Sequence, residues 1–199
     1  MVWKINKAEF VTSAVDAAGF PQPDRPEIAF GGRSNVGKSS LINALVQRKK
    51  LVKTSKTPGR TQTINFFNVN DELYIVDLPG YGFARVPDQV RRSWGPMIEG
   101  YLGNRPNLRA VVVVMDLRRG VEEDDYELIM AAPHFGIQPV MVFTKADKFK
   151  KNAREQRRRE LARDIEANPG ELILFSSTQG MGRQTLWKRL SYLAGLNSE

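Results

Sequence analysis

The segment Gly32 to Ser39, GRSNVGKS, constrains this chain more than any other part of it. It follows EIAFGG, an apolar run of strand length, and leads into SSLINAL, which has the spacing of a helix. A glycine-rich turn in that position aims successive backbone N–H groups, and the positive end of the following helix, at one point in space, and a polyphosphate fits there. Gly32 and Gly37 permit the turns, while Arg33, Ser34, Asn35 and Val36 supply the intervening amides. Lys38 is suited to neutralise the β- and γ-phosphates of a nucleotide, and the Ser39 hydroxyl to ligate Mg2+.

The surrounding pattern agrees with that loop. EIAFGG, TINFFNVN, ELYIVDLPG, RAVVVVMDL, QPVMVFTKAD and ELILFSST read as six strands, most of them separated by amphipathic stretches of helical length. The second and third are joined through Asn70-Asp71, a hairpin-like turn, so one strand runs antiparallel. The other connections need crossovers, which gives a mainly parallel six-stranded sheet with helices on both faces, a three-layer α/β fold. The last helix, from Gly182 to about Leu196, carries Leu186, Leu190 and Leu193 on one stripe and closes the domain. At 199 residues the chain is expected to form one domain over residues 26–199, preceded by an extension of residues 1–25 packed on the core. That extension holds a short amphipathic piece, EFVTSAVDAAGF, and an extended connector, PQPDRP.

Two further motifs end strands at the same edge of the sheet. In DLPG, Asp77, Leu78, Pro79 and Gly80, the carboxylate emerges where open α/β sheets bind ligands and can reach Mg2+ through water. Gly80 offers a backbone N–H to the γ-phosphate; alone, however, the tetrapeptide is also an ordinary turn. In TKAD, Thr144, Lys145, Ala146 and Asp147, the aspartate can accept hydrogen bonds from the ring N–H and exocyclic amine of guanine, a pair that adenine lacks. Lys145 lays its stem along the base. FSST supplies Phe175, Ser176 and Ser177, whose amides and hydroxyls can support Asp147 and the guanine carbonyl. Between the first helix and second strand, LVKTSKTPGRTQT reads as a mobile loop; Thr61 is the candidate second hydroxyl on Mg2+, with Thr57 and Thr63 as competitors.

Taken together, GRSNVGKSSLINAL, TPGRTQTINFF, DLPGYGFA, FTKADK and FSS resemble, in order and spacing, the signature segments of the EngB (YsxC, YihA) family of bacterial GTPases, within the translation-factor-related P-loop group. The resemblance spans nearly the whole chain and implies a P-loop GTPase fold. It further implies binding of GTP and GDP with Mg2+, and a role in assembling the large ribosomal subunit on which growth, division and septation depend. Under it, Gly59, Arg60, Thr61, Gln62 and Thr63 form the first switch, and Ser39 and Thr61 hold the metal, beside the Asp77 read from DLPG. Lys38, Thr61 and Gly80 then act on the transferred phosphate. Asn35 is similar to the asparagine that helps some GTPases coordinate K+; an asparagine chosen for a left-handed turn is the other reading.

Ras-like enzymes orient the attacking water with a glutamine soon after the glycine of DxxG, but here Tyr81, Gly82 and Phe83 follow Gly80, so slow intrinsic hydrolysis is expected. The formal charge is +8. Basic residues gather in segments 48–56 and 148–163, the second holding eight Lys or Arg against two Glu. With no RNA-binding module visible, contact with ribosomal RNA phosphates would rest on shape and charge. A GTP-binding sensor with incidental turnover and a septation protein that needs no RNA are the competing readings. Cysteine is absent and the start of the chain has no long apolar core, which reads as cytoplasmic, with no membrane partner. No heptad or long apolar patch appears, so a monomer is expected.

Overall fold

In the computed structural model, which describes residues 4–52, 63–81 and 97–196, the strands are β1 (Ala8–Ala14), β2 (Glu27–Gly32), β3 (Ile64–Val69), β4 (Leu73–Asp77), β5 (Leu108–Asp116), β6 (Gln138–Thr144) and β7 (Ile173–Leu174). The helices are α1 (Lys38–Leu45), α2 (residues 97–104), α3 (Glu123–Ala131), α4 (Lys151–Asp164) and α5 (Arg183–Leu193). One sheet runs in the order β1-β3-β4-β2-β5-β6-β7. Only β3 opposes its neighbours; the pairs from β4 through β7 are parallel. The β3–β4 hairpin turns through Asn70 and Asp71, both at positive φ (55° and 59°), and the Glu72 amide donates to the Val69 carbonyl.

The three layers follow from alternation along the central strand. Residues 110–115 of β5 are all fully buried, because helices cover both faces. Val111, Val113 and Met115 share one core with Tyr101 of α2, Leu128 of α3 and Leu161 of α4. Ala110, Val112 and Val114 share the other with Leu41 and Leu45 of α1 and with Leu186 and Leu190 of α5. The Trp187 indole N–H donates to the Leu45 carbonyl at 2.8 Å, tying α5 to the end of α1.

The expected α/β architecture with one antiparallel strand is present, but the sheet has seven strands among the described residues, not six. The additional one is β1, antiparallel to β3, with Phe10 edge-on to Phe67. Its period-two signal is broken by a register shift between Phe10 and Thr12, which leaves Phe10 and Val11 both exposed. The Asn70 side chain fastens its start, accepting from the Asn6 and Lys7 amides at 2.8 and 3.1 Å. At the opposite edge of the sheet from the glycine-rich loop, Glu27 is fully buried, paired with Arg105 and accepting from the Tyr101 hydroxyl at 2.7 Å.

Gly182, the cap of α5, has φ 78°, and a Cβ there would lie 2.1 Å from the Leu174 carbonyl oxygen. Gly182→Ala therefore combines a left-handed backbone with a backbone clash and is expected to lower stability by about 2–4 kcal/mol. Urea unfolding measures this; an unchanged midpoint would contradict the packing described.

Candidate nucleotide-binding site

Five parallel strands, β4, β2, β5, β6 and β7, deliver their C-terminal ends to one edge, and every described candidate residue except Thr63 stands on or just beyond one of them. Gly32 ends β2 so close to β5 that a Cβ would meet the Val114 carbonyl oxygen at 2.5 Å. The chain then turns through Asn35 at φ 67° and Gly37 at φ 100°, left-handed positions that asparagine and glycine tolerate, before α1 begins at Lys38. Alternating handedness of this kind gathers N–H groups into an anion-binding concavity.

The Lys38 ammonium donates to the Asp77 carboxylate and, at 2.6 Å, to the Leu78 carbonyl. Asp77 ends β4 and is 5% exposed. Leu78 and Pro79 are buried, and Gly80 then runs against the P-loop, where an added Cβ would come within 3.2 Å of Ser34 Oγ. The Ser34 amide donates to the Tyr81 carbonyl at 3.2 Å, so the DLPG segment and the P-loop are held side by side. Val36 is buried in the core and contributes backbone alone.

On the base side, Lys145 has φ 59° and its ammonium reaches back to the Asn35 carbonyl at 2.8 Å. The Thr144 hydroxyl stands between the Val36 and Met115 carbonyl oxygens. Asp147 Oδ1 accepts from the Ser176 hydroxyl at 2.8 Å, and that hydroxyl in turn accepts from the Gln179 amide at 3.2 Å. The Ser176 bond is the main cause holding the Asp147 carboxyl below its ordinary range, so the group is ionised and can accept two N–H donors from guanine. The Phe175 side chain is fully buried, while its carbonyl accepts from Ala146 and its amide donates to Phe143. It ties the two base-side loops together.

Sequence reasoning missed Asp116. It ends β5, opposite Thr144 on β6, with its side chain 1% exposed. It pairs with Lys145 at 2.8 Å and with Arg118 at 2.6 Å. Burial would raise this carboxyl, but hydrogen bonds from Arg118 and Lys145 hold it well below the usual value. The signal available was an apolar strand ending in aspartate at the same edge as Asp77 and Thr144.

Gly59, Arg60, Thr61 and Gln62 lie outside the described residues, as do Gly82 and Phe83. Thr63 immediately precedes β3, its hydroxyl 3.3 Å from Asn65 Oδ1. Among the described residues no cluster of three or more His, Cys, Asp or Glu can hold a metal. Mg2+ suits this site as a companion of phosphate oxygens and water, held by one carboxylate and hydroxyls rather than an all-protein cage; Asp77 and Ser39 are the described residues of that kind.

Residues 27–145 match the model of a family described as 50S ribosome-binding GTPase. The chain is 51% identical, over 98% of its length and 99% of the relative's, to the probable GTP-binding protein EngB of Desulfosudis oleivorans. It is 50% identical to that of Geotalea daltonii over 94% of this chain and 90% of the other. A crystal structure of a probable GTP-binding protein engB superposes with a TM-score of 0.71 at 28% identity, covering 86% of this chain and all of that one.

Asp116→Asn removes the charge that anchors Lys145 beneath the P-loop. GDP affinity is expected to fall about threefold to tenfold and stability at pH 7 by about 1–2 kcal/mol. Because the Asp116 carboxyl is lowered on folding, its contribution is complete above the ordinary value of 3.8 and is lost as pH falls through the folded value. The gap between parent and variant should therefore narrow in acid, measured by denaturant titration across pH.

Proposed function

The chain belongs to the EngB family of GTP-binding proteins, P-loop GTPases, and from that premise we propose that it is a nucleotide-dependent switch in assembly of the bacterial large ribosomal subunit. Its GTP form docks on the particle through ribosomal RNA phosphates, and hydrolysis releases it. Loss of the protein would then surface as defects in growth, division and septation, as consequences of too few subunits.

The observation that carries this reading is the surface of α4 and its approach. Lys148, Lys150, Lys151, Arg159 and Arg163 are exposed, with Leu161 and Ala162 turned into the core. Arg157 and Arg158 pair instead with Glu160 and Glu155. A second basic set, Arg48, Lys49 and Arg183, rims a groove of about 550 Å³ between α1 and the loop after β7. Lys148 directly follows Asp147, so the start of segment 148–163 adjoins the nucleotide edge, while residues 53–56 of segment 48–56 lie outside the described residues. The description of the matching family as 50S ribosome-binding favours a large-subunit partner over a septal one.

Turnover by the isolated chain is slow in this reading. Tyr81, which follows Gly80, has its hydroxyl committed to Asp125 at 2.9 Å and so does not orient a water. Ser39 and Thr61 would hold Mg2+ directly and Asp77 through water, and the ion would neutralise charge on the β- and γ-phosphates. K+ at Asn35 is proposed to supply the charge that an arginine finger gives elsewhere. No helix among the described residues is long and apolar enough to cross a membrane; the protein is proposed to act in the cytoplasm as a monomer.

Cosedimentation with large-subunit particles in a GTP analogue should exceed that in GDP. With about four phosphate contacts, affinity should fall roughly a hundredfold between 50 and 200 mM salt. Arg159→Glu with Arg163→Glu should weaken it further, and salt-independent binding, or equal binding in GDP, would count against the docking. Hydrolysis should be faster in KCl than in NaCl; equal rates would remove the K+ role.

A further inference from the structure

Tyr81 makes a contact that neither base recognition nor the P-loop requires. Its ring lies over the end of β2, where Gly31 has no side chain: a Cβ there would come within 2.7 Å of Leu128 Cδ2 and 3.6 Å of Tyr81 Cε1. Its hydroxyl donates to Asp125 Oδ1 at 2.9 Å, and the other Asp125 oxygen accepts from the Glu122 amide at 3.2 Å. Its backbone is joined to the P-loop by the Ser34 bond and by a parallel bridge to Arg33. Arg33 in turn pairs with Glu122 and lies 3.7 Å from Asp124 Oδ2. The P-loop, Tyr81 and the start of α3 therefore close a ring of contacts with Gly80 inside it.

Asp125 is 2% exposed. Burial raises its carboxyl to about 6 in spite of the Tyr81 hydrogen bond and the nearby Arg33 charge. A helix start can be capped by an exposed Ser, Thr or Asp without that desolvation. What distinguishes the buried carboxylate is its hold on Tyr81.

We infer that Asp125 is a positioning residue for γ-phosphate recognition: by holding the Tyr81 hydroxyl it fixes the Gly80 amide against the P-loop, so that GTP meets that amide already in place. The inference rests on the GTPase assignment and on nothing said of the ribosome. GDP has no γ-phosphate for Gly80 to meet, so releasing the latch weakens GTP binding and hydrolysis and spares GDP. Tyr81 and Asp125 thereby set the preference between the two nucleotides.

The test uses the full chain carrying Tyr81→Phe, which removes only the hydroxyl and leaves the cap of α3 intact, and Asp125→Ala. Titration calorimetry with GDP and a non-hydrolysable GTP analogue should give a Kd for the analogue raised about threefold to tenfold, the range of one hydrogen bond, with that for GDP unchanged within about twofold. Single-turnover hydrolysis should slow by a similar factor. In the double variant the effects should not add, because both substitutions break one contact. Were both variants to keep the parent's ratio of analogue to GDP affinity, or to lose the two nucleotides equally, Asp125 would be a helix cap and the inference overturned. Should Asp125→Ala fail to fold, Tyr81→Phe decides alone. A parent chain that binds no guanine nucleotide would instead overturn the nucleotide assignment, a different result from either.

Discussion

The end of β2 carries no side chains, and the nucleotide edge is organised around that. Gly32 lets the strand come so close to β5 that even a methyl group would strike the Val114 carbonyl, and Gly31 leaves the slot that Leu128 and the Tyr81 ring occupy. Close approach of the three central strands sets where the P-loop begins. From there the left-handed turns at Asn35 and Gly37 can set α1 down with Lys38 over the end of β4. A side chain at Gly32 would move the origin of the loop and with it the distance between Lys38 and Asp77, whereas one at Gly31 would press on the Leu128 and Tyr81 side chains.

The proposed phosphate and base sides of the site are held together by a small set of polar contacts. Lys145 spans from the P-loop carbonyl of Asn35 to Asp116, and Thr144 reaches the Val36 carbonyl, so the base-side loop cannot shift without taking the P-loop with it. Burying Asp116 costs desolvation, which its two cationic partners offset. Ser176 performs a related task for Asp147, fixing one carboxylate oxygen and keeping the group ionised. The site is built at strand ends, which hold side chains more precisely than free loops do.

Much of this was readable in the chain, for a physical reason. GRSNVGKS, DLPG and TKAD each need particular residue types at fixed offsets beside a strand, so the local sequence carries their meaning. The unread parts depend on contacts between distant segments. Asp116 is one aspartate at a strand end, and its meaning lies in Lys145, which only the β5–β6 pairing brings near. Tyr81 and Asp125 are 44 residues apart and meet because Gly31 admits both the ring and α3. β1 was legible as an amphipathic piece but not as a strand, since its bulge breaks the alternation by which strands are recognised.

Asp147, held ionised by Ser176 and linked to the phosphate side through the neighbouring Lys145, is the proposed reader of guanine. Titration calorimetry with GDP, a GTP analogue and ATP on the parent chain and on Asp147→Asn tests it most directly. Tight, guanine-selective binding by the parent, lost in the variant or shifted toward xanthine nucleotides, is the expected result. Comparable binding of ATP, or a variant that keeps its guanine selectivity, would contradict the guanine-reading role of Asp147.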